Sequence, residues 1–229
     1  MIDPYYFYQK HILGIIPRHQ TPSMRIGSAI DSYLTGSRAQ FKRLYKLSER
    51  RNLKSPPEGY TELSGAEYEA VMGMINAVKD TEVYKDIKKN YKSQRIFSIK
   101  QQFGIFRGLK GLPDWFRIIG NKAIIVDLKT TSDINKKKYQ FQAHDMFYYF
   151  QQANYRKLIM TAYPQVEETE HWHLVVKNNF PYLPVLFQLD QDIILMEFDR
   201  LEKLLSEINS LTHDDFKPRN LTWKDANKI

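Results

Sequence analysis

The chain contains no cysteine among its 229 residues. This absence excludes disulfides, thiol nucleophiles and every site in which cysteine ligates zinc or an iron-sulfur cluster. Any metal or catalytic site in this protein must therefore be built from oxygen and nitrogen groups.

Long apolar runs are also missing from the sequence. No stretch approaches the roughly 20 apolar residues that a membrane-spanning helix needs. The first ten residues, MIDPYYFYQK, lack the basic start and the apolar run of a secretory signal peptide. We therefore expect a cytoplasmic protein without a membrane association.

Acidic residues are outnumbered by basic ones, with 34 Lys and Arg against 26 Asp and Glu and a net charge of +8. A basic excess favours polyanionic partners such as nucleic acid, although a soluble basic protein is the alternative explanation. Apolar residues make up 42% and charged residues 26%, which is an ordinary globular composition. We expect one domain over residues 1–229, with a helical part at about 1–92 and a sheet-containing part at about 93–229.

Periodicity of apolar residues predicts the secondary structure. Ser64 and Glu67 form an S-x-x-E capping box before a helical pattern. Further helices are predicted at about 26–34, 82–91, 139–161 and 192–211, and a loop at 48–58. Between 95 and 129 the pattern indicates strands, including DWFRII and KAIIVDLK, and two more are predicted at 170–176 and 183–189. These elements predict an α/β fold with a central mixed β-sheet and helices on both sides.

Gly120 and Asn121 separate two strands by two residues, which fixes the register of a hairpin. Ile119 then faces Lys122, paired residue numbers sum to 241, and Asp114 falls opposite Asp127. Cross-strand partners have Cβ atoms roughly 4.5 to 5.5 Å apart, and two carboxylates at that distance repel unless a cation lies between them.

Lys129 lies two residues after Asp127, so strand alternation places both on one face. Asp127 interrupts an apolar run that is typical of a buried central strand, where an unused charge is costly. Each short motif taken alone has an ordinary explanation, a turn aspartate or a surface ion pair. Together, the three residues predict a site for Mg²⁺, with Mn²⁺ as a substitute, because hard oxygen ligands suit these ions.

The sequence resembles the RecB-like PD-(D/E)XK nucleases, whose core is that of the restriction endonucleases. Gly111-Leu112-Pro113-Asp114 and, after twelve residues, Asp127-Leu128-Lys129-Thr130-Thr131 are similar to the GxxD and DxKTT motifs. Gln151-x-x-x-Tyr155 resembles the QxxxY motif, and RIGSAIDSYLTG the first helical motif, in which relatives usually carry His where this chain has Asp31. PYLPVLFQLD is similar to a strand of phage and RecE-type exonucleases, so the likeness spans about 22–210.

The resemblance implies roles for particular residues. Asp114, Asp127, Lys129, Gln151 and Tyr155 would be catalytic, and the metal would be held by Asp114, Asp127 and the Leu128 carbonyl. Asp31 would be a further metal ligand, or else an ordinary helix-surface aspartate. DNA would be contacted by a set of polar side chains, namely Thr130, Gln151, Tyr155, Lys136, Lys137 and Lys138. For the three lysines a solvated loop is the alternative.

The function implied by the resemblance is Mg²⁺-dependent exonuclease activity on DNA, without an iron-sulfur cluster, in phage or mobile-element recombination and repair. The expected location is the cytoplasm of a bacterium or phage-infected host. A single-strand annealing or recombination protein and a second copy of the chain are further expected partners. An internal-cutting nuclease of the same fold and a catalytically silent DNA-binding module remain alternatives.

His171-x-His173 is a second metal-like pattern, since the two histidines alternate on a predicted strand. No third ligand stands at a recognisable spacing. We therefore expect core or surface histidines here.

Overall fold

The computed structural model describes residues 6, 8–16, 20–48 and 59–216. The described helices are α1 Pro22–Asp31, α2 Arg38–Leu44, α3 Gly65–Lys79, α4 Glu82–Asn90, α5 Lys136–Asp145, α6 Tyr148–Ala162 and α7 Gln191–Ile208. The described strands are β1 Tyr45–Leu47, β2 Thr61–Leu63, β3 Lys92–Ser93, β4 Phe97–Ile99, β5 Leu109–Gly111, β6 Trp115–Ile119, β7 Lys122–Thr131, β8 Glu168–Lys177 and β9 Pro184–Gln188. A π-helical turn, Ser32–Gly36, follows α1 directly.

Five of these strands form one mixed sheet in the order β3-β6-β7-β8-β9. The central pair β7 and β8 is parallel, and the other neighbours are antiparallel. Two small sheets, β1-β2 and β4-β5, lie outside it. The predicted α/β architecture with a central mixed sheet is confirmed.

Strand β7 is buried from both sides, because its alternating residues face two different cores. Val126 and Leu128 belong to a core shared with the N-terminal helices α1 and α3. Ala123 and Ile125 belong to a core beneath α6. Alternation along the strand therefore turns Asp127 toward the face that α6 covers.

The capping box of α3 is present, with Ser64 accepting from the Glu67 amide and Glu67 accepting from the Ser64 amide. The other oxygen of Glu67 accepts from Arg25 of α1 at 2.7 Å. One residue thus caps α3 and ties α1 to it. This contact matters for the site because Asp31 is the last residue of α1.

The hairpin register is the one that the sequence predicts. Trp115 pairs with Val126 and Ile119 with Lys122, and Gly120 adopts a positive φ of 59° in the turn. Strand β6 begins at Trp115, so Asp114 immediately precedes it. The same register, extended by one residue, brings Asp114 opposite Asp127.

Several predicted elements differ from the structure. The single helix predicted at 139–161 is wrong, because the chain breaks at Met146–Phe147 into α5 and α6. Lys136, Lys137 and Lys138 form the first turn of α5 and not a loop, since the Asn135 side chain caps that turn. Of the strand-like region at 95–106, only Phe97–Ile99 is a strand.

The first helix begins at Pro22 and ends at Asp31, four residues earlier at its start than predicted, because Thr21 caps it and Pro22 suits its first turn. Most of the predicted 48–58 loop, residues 49–58, lies outside the described residues. Within the described part of the chain, no helix is long and apolar enough to cross a membrane.

Candidate active site

Asp114 ends the Gly111-Leu112-Pro113-Asp114 segment and joins it to β7. Its Oδ2 atom accepts a hydrogen bond from the Leu128 amide at 2.6 Å. Strand β6 begins at Trp115, one residue after Asp114. The Asp114 carboxylate therefore accepts a hydrogen bond from β7 just before β6 begins. The N–H and C=O of one strand residue point to the same side, so the Leu128 carbonyl also faces this gap.

Asp127 and Lys129 lie together on β7, as the sequence predicts. The Asp127 side chain is 3% exposed, and its Oδ2 forms an ion pair with the Lys129 ammonium. Burial favours the neutral amine of Lys129, but attraction by Asp127 outweighs it, so the pKa of Lys129 is raised. Lys129 is therefore held as a cation inside the site.

Asp31 lies with these residues and not on an open helix surface. The Thr35 hydroxyl donates to its Oδ1 at 2.7 Å. Burial raises the pKa of Asp31, with the Thr35 hydrogen bond acting against this shift and repulsion from Asp127 adding to it. Asp31 also interacts electrostatically with Asp114, which places a third carboxyl group at the site.

The carboxyl groups together carry more negative charge than Lys129 balances. Burial raises the pKa of Asp114 well above its usual range, and repulsion from Asp127 and Asp31 adds to that rise. A divalent cation bound between these carboxyl groups would relieve the repulsion.

The donors at the site are oxygen atoms, which hard divalent cations such as Mg²⁺ prefer. In the part of the chain that the structure describes, no group of three or more His, Cys, Asp or Glu side chains could hold a metal ion on its own. Mg²⁺ usually takes one or two carboxylates and keeps several waters. Asp114, Asp127 and the Leu128 carbonyl meet that requirement, with Asp31 beside them.

Gln151 and Tyr155 connect Lys129 to the segment that carries Asp114. Lys129 donates to Gln151 Oε1 at 2.9 Å, and the Gln151 amide nitrogen donates to the Tyr155 hydroxyl at 2.9 Å. The Tyr155 hydroxyl donates to the Leu112 carbonyl at 3.1 Å. The two residues are thus one turn apart on α6 and in the site, as predicted.

Gly111 is required by the close approach of α6. A Cβ atom added there would lie 2.7 Å from Leu158 Cδ1 and 3.0 Å from two carbons of the Tyr155 ring. A larger residue would therefore require the Leu158 and Tyr155 side chains to shift. The glycine of the GxxD pattern therefore has a packing reason in this chain.

The residues predicted to contact DNA lie close to the site residues in sequence, and some of them also contact other parts of the protein. Lys138 forms an ion pair with Asp133 at 2.6 Å, and Lys137 is exposed on the same turn. Thr130 lies close to Gly27 of α1, 3.8 Å from where a Cβ of that glycine would be. DNA contact by these residues stays a prediction.

Tyr148 is a site residue that the sequence analysis missed. Its ring centre lies 4.5 Å from the Lys129 ammonium, and its ring packs edge-on against His173. It precedes Gln151 by three residues, so both lie on one face of α6. That spacing is the signal that could have identified it.

His171 and His173 are buried beside β7, in agreement with the expectation of core or surface histidines. Gln152 contacts the rings of both, and the Tyr139 hydroxyl lies 2.7 Å from His173 Nδ1. Burial lowers the pKa of His171 to about 3 and that of His173 well below its usual range. Both rings are therefore neutral members of a hydrogen-bonded core.

Solved structures with a similar fold include a Eubacterium rectale protein provisionally described as an exonuclease. It is 15% identical to this chain, with a TM-score of 0.64 over 95% of this chain and 77% of that one. The protein SSO0001 is 16% identical over 60% of this chain and 63% of that one, and its TM-score of 0.35 is too low to support an argument. No curated protein matches the sequence. The fold, the site and the match of a family model to residues 8–222 agree, and the chain belongs to the family of PDDEXK-like domains of unknown function, DUF3799.

Proposed function

We propose that this protein is a Mg²⁺-dependent deoxyribonuclease that degrades DNA from free ends. The observation that carries the proposal is the convergence of Asp114, Asp127 and Lys129 at one end of the β6–β7 hairpin. Membership of a PDDEXK-like family supports nuclease chemistry of this kind.

Each residue has a defined task in the proposed reaction. Asp114, Asp127 and the Leu128 carbonyl would hold the divalent cation, which when bound polarises the scissile phosphate and lowers the pKa of water. Lys129 orients the attacking water and offsets charge that develops on the phosphate. Gln151 fixes the position of Lys129 through its hydrogen bond.

The proposal that cleavage begins at free DNA ends goes beyond the assignment of nuclease activity. It is supported by the resemblance of the sequence to phage and RecE-type exonucleases and by the lysines at the start of α5, which suit a strand led toward the site. Recombination or repair in a bacterial or phage-infected cytoplasm, with an annealing protein or a second copy as partner, follows from the same resemblance. An endonuclease of the same fold is the competing candidate.

The test compares end-labelled linear DNA with the same DNA as a covalently closed circle, at equal Mg²⁺ and low salt. We expect linear DNA to be degraded to short products and the circle to persist. Comparable loss of both would identify an endonuclease. Chelation of the metal and the Asp127→Asn variant should each stop cleavage, and cleavage that survives both would overturn the proposed metal site.

A further inference from the structure

The corner between α5 and α6 exposes three large apolar side chains within seven residues. Phe141 is 73% exposed, Met146 61% and Phe147 60%. Several large apolar side chains exposed so close together in the chain are consistent with an interaction site. We refer to these three residues as the α5–α6 corner.

Phe147 adopts an unusual backbone conformation for a bulky residue. Its φ of 56° and ψ of 33° lie in the left-handed region, where a residue with a large side chain is strained. Such strain costs about 1 to 3 kcal/mol and persists where the surroundings or the function require it. Because the ring is mostly exposed, core packing does not account for a phenylalanine at this position.

The corner is followed directly in the chain by a residue of the candidate active site. Phe147 precedes Tyr148, whose ring lies 4.5 Å from the Lys129 ammonium. On α5, Phe141 follows Lys137 and Lys138 by four and three residues, so the three lie on one helix face. Aromatic rings beside basic side chains are typical of surfaces that bind single-stranded nucleic acid.

Phe147 also lines a groove with basic side chains of α7. The groove has a volume of about 500 Å³ and is lined by Phe147, Phe150, Arg200, Lys203, Leu204 and Glu207. Arg200 and Lys203 pair with Glu197 at 3.4 Å and Glu207 at 3.9 Å, respectively. Exposed pairs of this kind are weak, so both cations stay accessible to a phosphate.

We propose that the α5–α6 corner stacks on unpaired bases of the DNA strand that enters the active site. Duplex DNA hides the faces of its bases, so exposed rings gain stacking only from unpaired nucleotides. A second copy of the chain is a poorer occupant, because self-docking at this corner would bring the two exposed Lys137 side chains together. The inference rests on the proposed function, since it names the form of DNA that the site accepts.

The experiment measures binding by fluorescence anisotropy, with chelator present so that no cleavage occurs. The probes are a labelled single strand of about 12 nucleotides and a blunt duplex of the same sequence. The variants are Phe147→Gly, which removes the ring and relieves the backbone, and Phe141→Ser on the helix surface. Ile119→Ser is the matched control, an exposed apolar residue at the hairpin turn, roughly 17 Å along β7 from Asp127.

We expect each corner variant to raise the Kd for single-stranded DNA by about 5- to 150-fold, the range for the loss of one stacked base. The Kd for duplex should change less than two-fold, and Ile119→Ser should change neither. Wild-type affinity of both variants for the single strand, an equal loss for both probes, or no binding of single strands by the wild type would overturn the proposal. A dimeric wild-type protein that becomes monomeric in the corner variants would also overturn the proposal.

The outcomes separate this inference from the proposed nuclease function. If the wild-type protein cleaves no DNA in Mg²⁺ but the corner variants selectively lose single-strand binding, the nuclease proposal is wrong and the proposal for the α5–α6 corner is supported. If the wild-type protein cleaves DNA and the variants bind single strands normally, the nuclease proposal is supported and the proposal for the α5–α6 corner is wrong. Phe141→Ser keeps the test valid if Phe147→Gly does not fold.

Discussion

The ammonium of Lys129 lies 4.5 Å from the centre of the Tyr148 ring. The ring is itself held, because it packs edge-on against His173 at 5.5 Å between ring centres. Lys129 is therefore positioned by an aromatic face as well as by Gln151. A cation over an aromatic face is stabilised by about 0.5 to 2 kcal/mol.

Tyr148→Leu should reduce kcat by roughly 3- to 30-fold, because leucine fills space but offers no ring face to Lys129. Tyr148→Phe should retain activity close to wild type, since the ring face is kept. KM and the unfolding midpoint should change little in either variant. Equal kcat for Leu and Phe, measured by initial rates on linear DNA, would show that Tyr148 does not position Lys129.

Asp114→Asn should lose cleavage by more than 10-fold while its free energy of unfolding stays equal to or rises above that of wild type. Asparagine keeps an acceptor for the Leu128 amide and removes a buried charge repelled by Asp127 and Asp31. Asp114→Ala should instead lower the free energy of unfolding by about 1 to 3 kcal/mol, because the amide loses its acceptor.

Urea unfolding of Asp114→Asn and Asp114→Ala gives this comparison. Asp145→Asn is the control, since its carboxylate is 79% exposed on the solvent face of α5. If the alanine variant were as stable as the asparagine variant, the Leu128 hydrogen bond would contribute nothing to stability.

Asp31→Ala should raise the Mg²⁺ concentration required for half-maximal cleavage, because it removes a carboxyl group next to Asp114. Calorimetric titration with Mg²⁺ should show weaker binding to the same variant. Asp86→Ala, on the exposed surface of α4, is a control of the same type. If Asp31→Ala bound Mg²⁺ with wild-type affinity, Asp31 would have only a structural role beside Thr35.

Acid should destabilise the protein through its buried histidines. Burial lowers the pKa of His171 from 6.5 to about 3, so between these values the unfolded chain binds a proton and the folded chain does not. The contribution of neutral His171 to the free energy of unfolding is therefore fully present above pH 6.5. It falls as the pH drops toward 3, by about 1.4 kcal/mol per pH unit for one histidine.

His171→Asn should flatten this dependence by about that amount per pH unit, as measured by urea unfolding at pH 7, 6 and 5. His144→Asn, whose side chain is 80% exposed, should leave the slope unchanged. A wild-type slope in His171→Asn would mean that His171 is not a source of the acid sensitivity.

The sequence predicted the hairpin and its register because a two-residue turn leaves one register for the paired strands. The pairing of Ile119 with Lys122 confirms it. Once the register is set, the positions of Asp114 and Asp127 follow from strand geometry alone. The central strand was recognisable from its apolar run, in which a buried charge is costly unless it is paired.

The break between α5 and α6 could not be predicted, because no glycine, asparagine or proline marks it. Phe147 takes the left-handed conformation that Gly or Asn would signal. The position of Asp31 depends on how α1 packs on α3. This packing involves the contact between Arg25 and Glu67, two residues that are 42 positions apart in sequence. Local periodicity carries no information on such a contact.

The hydrogen bond from Leu128 to Asp114 makes one backbone amide a reporter of the whole site. An amide held by a carboxylate exchanges its hydrogen with solvent only when that carboxylate moves or the strand opens. A cation that binds Asp114 competes with the amide for its oxygens, so exchange at Leu128 should change on addition of Mg²⁺ while exchange at Ile125, which pairs with Phe116, stays constant. Exchange at this backbone amide would therefore report metal binding in the absence of any DNA substrate.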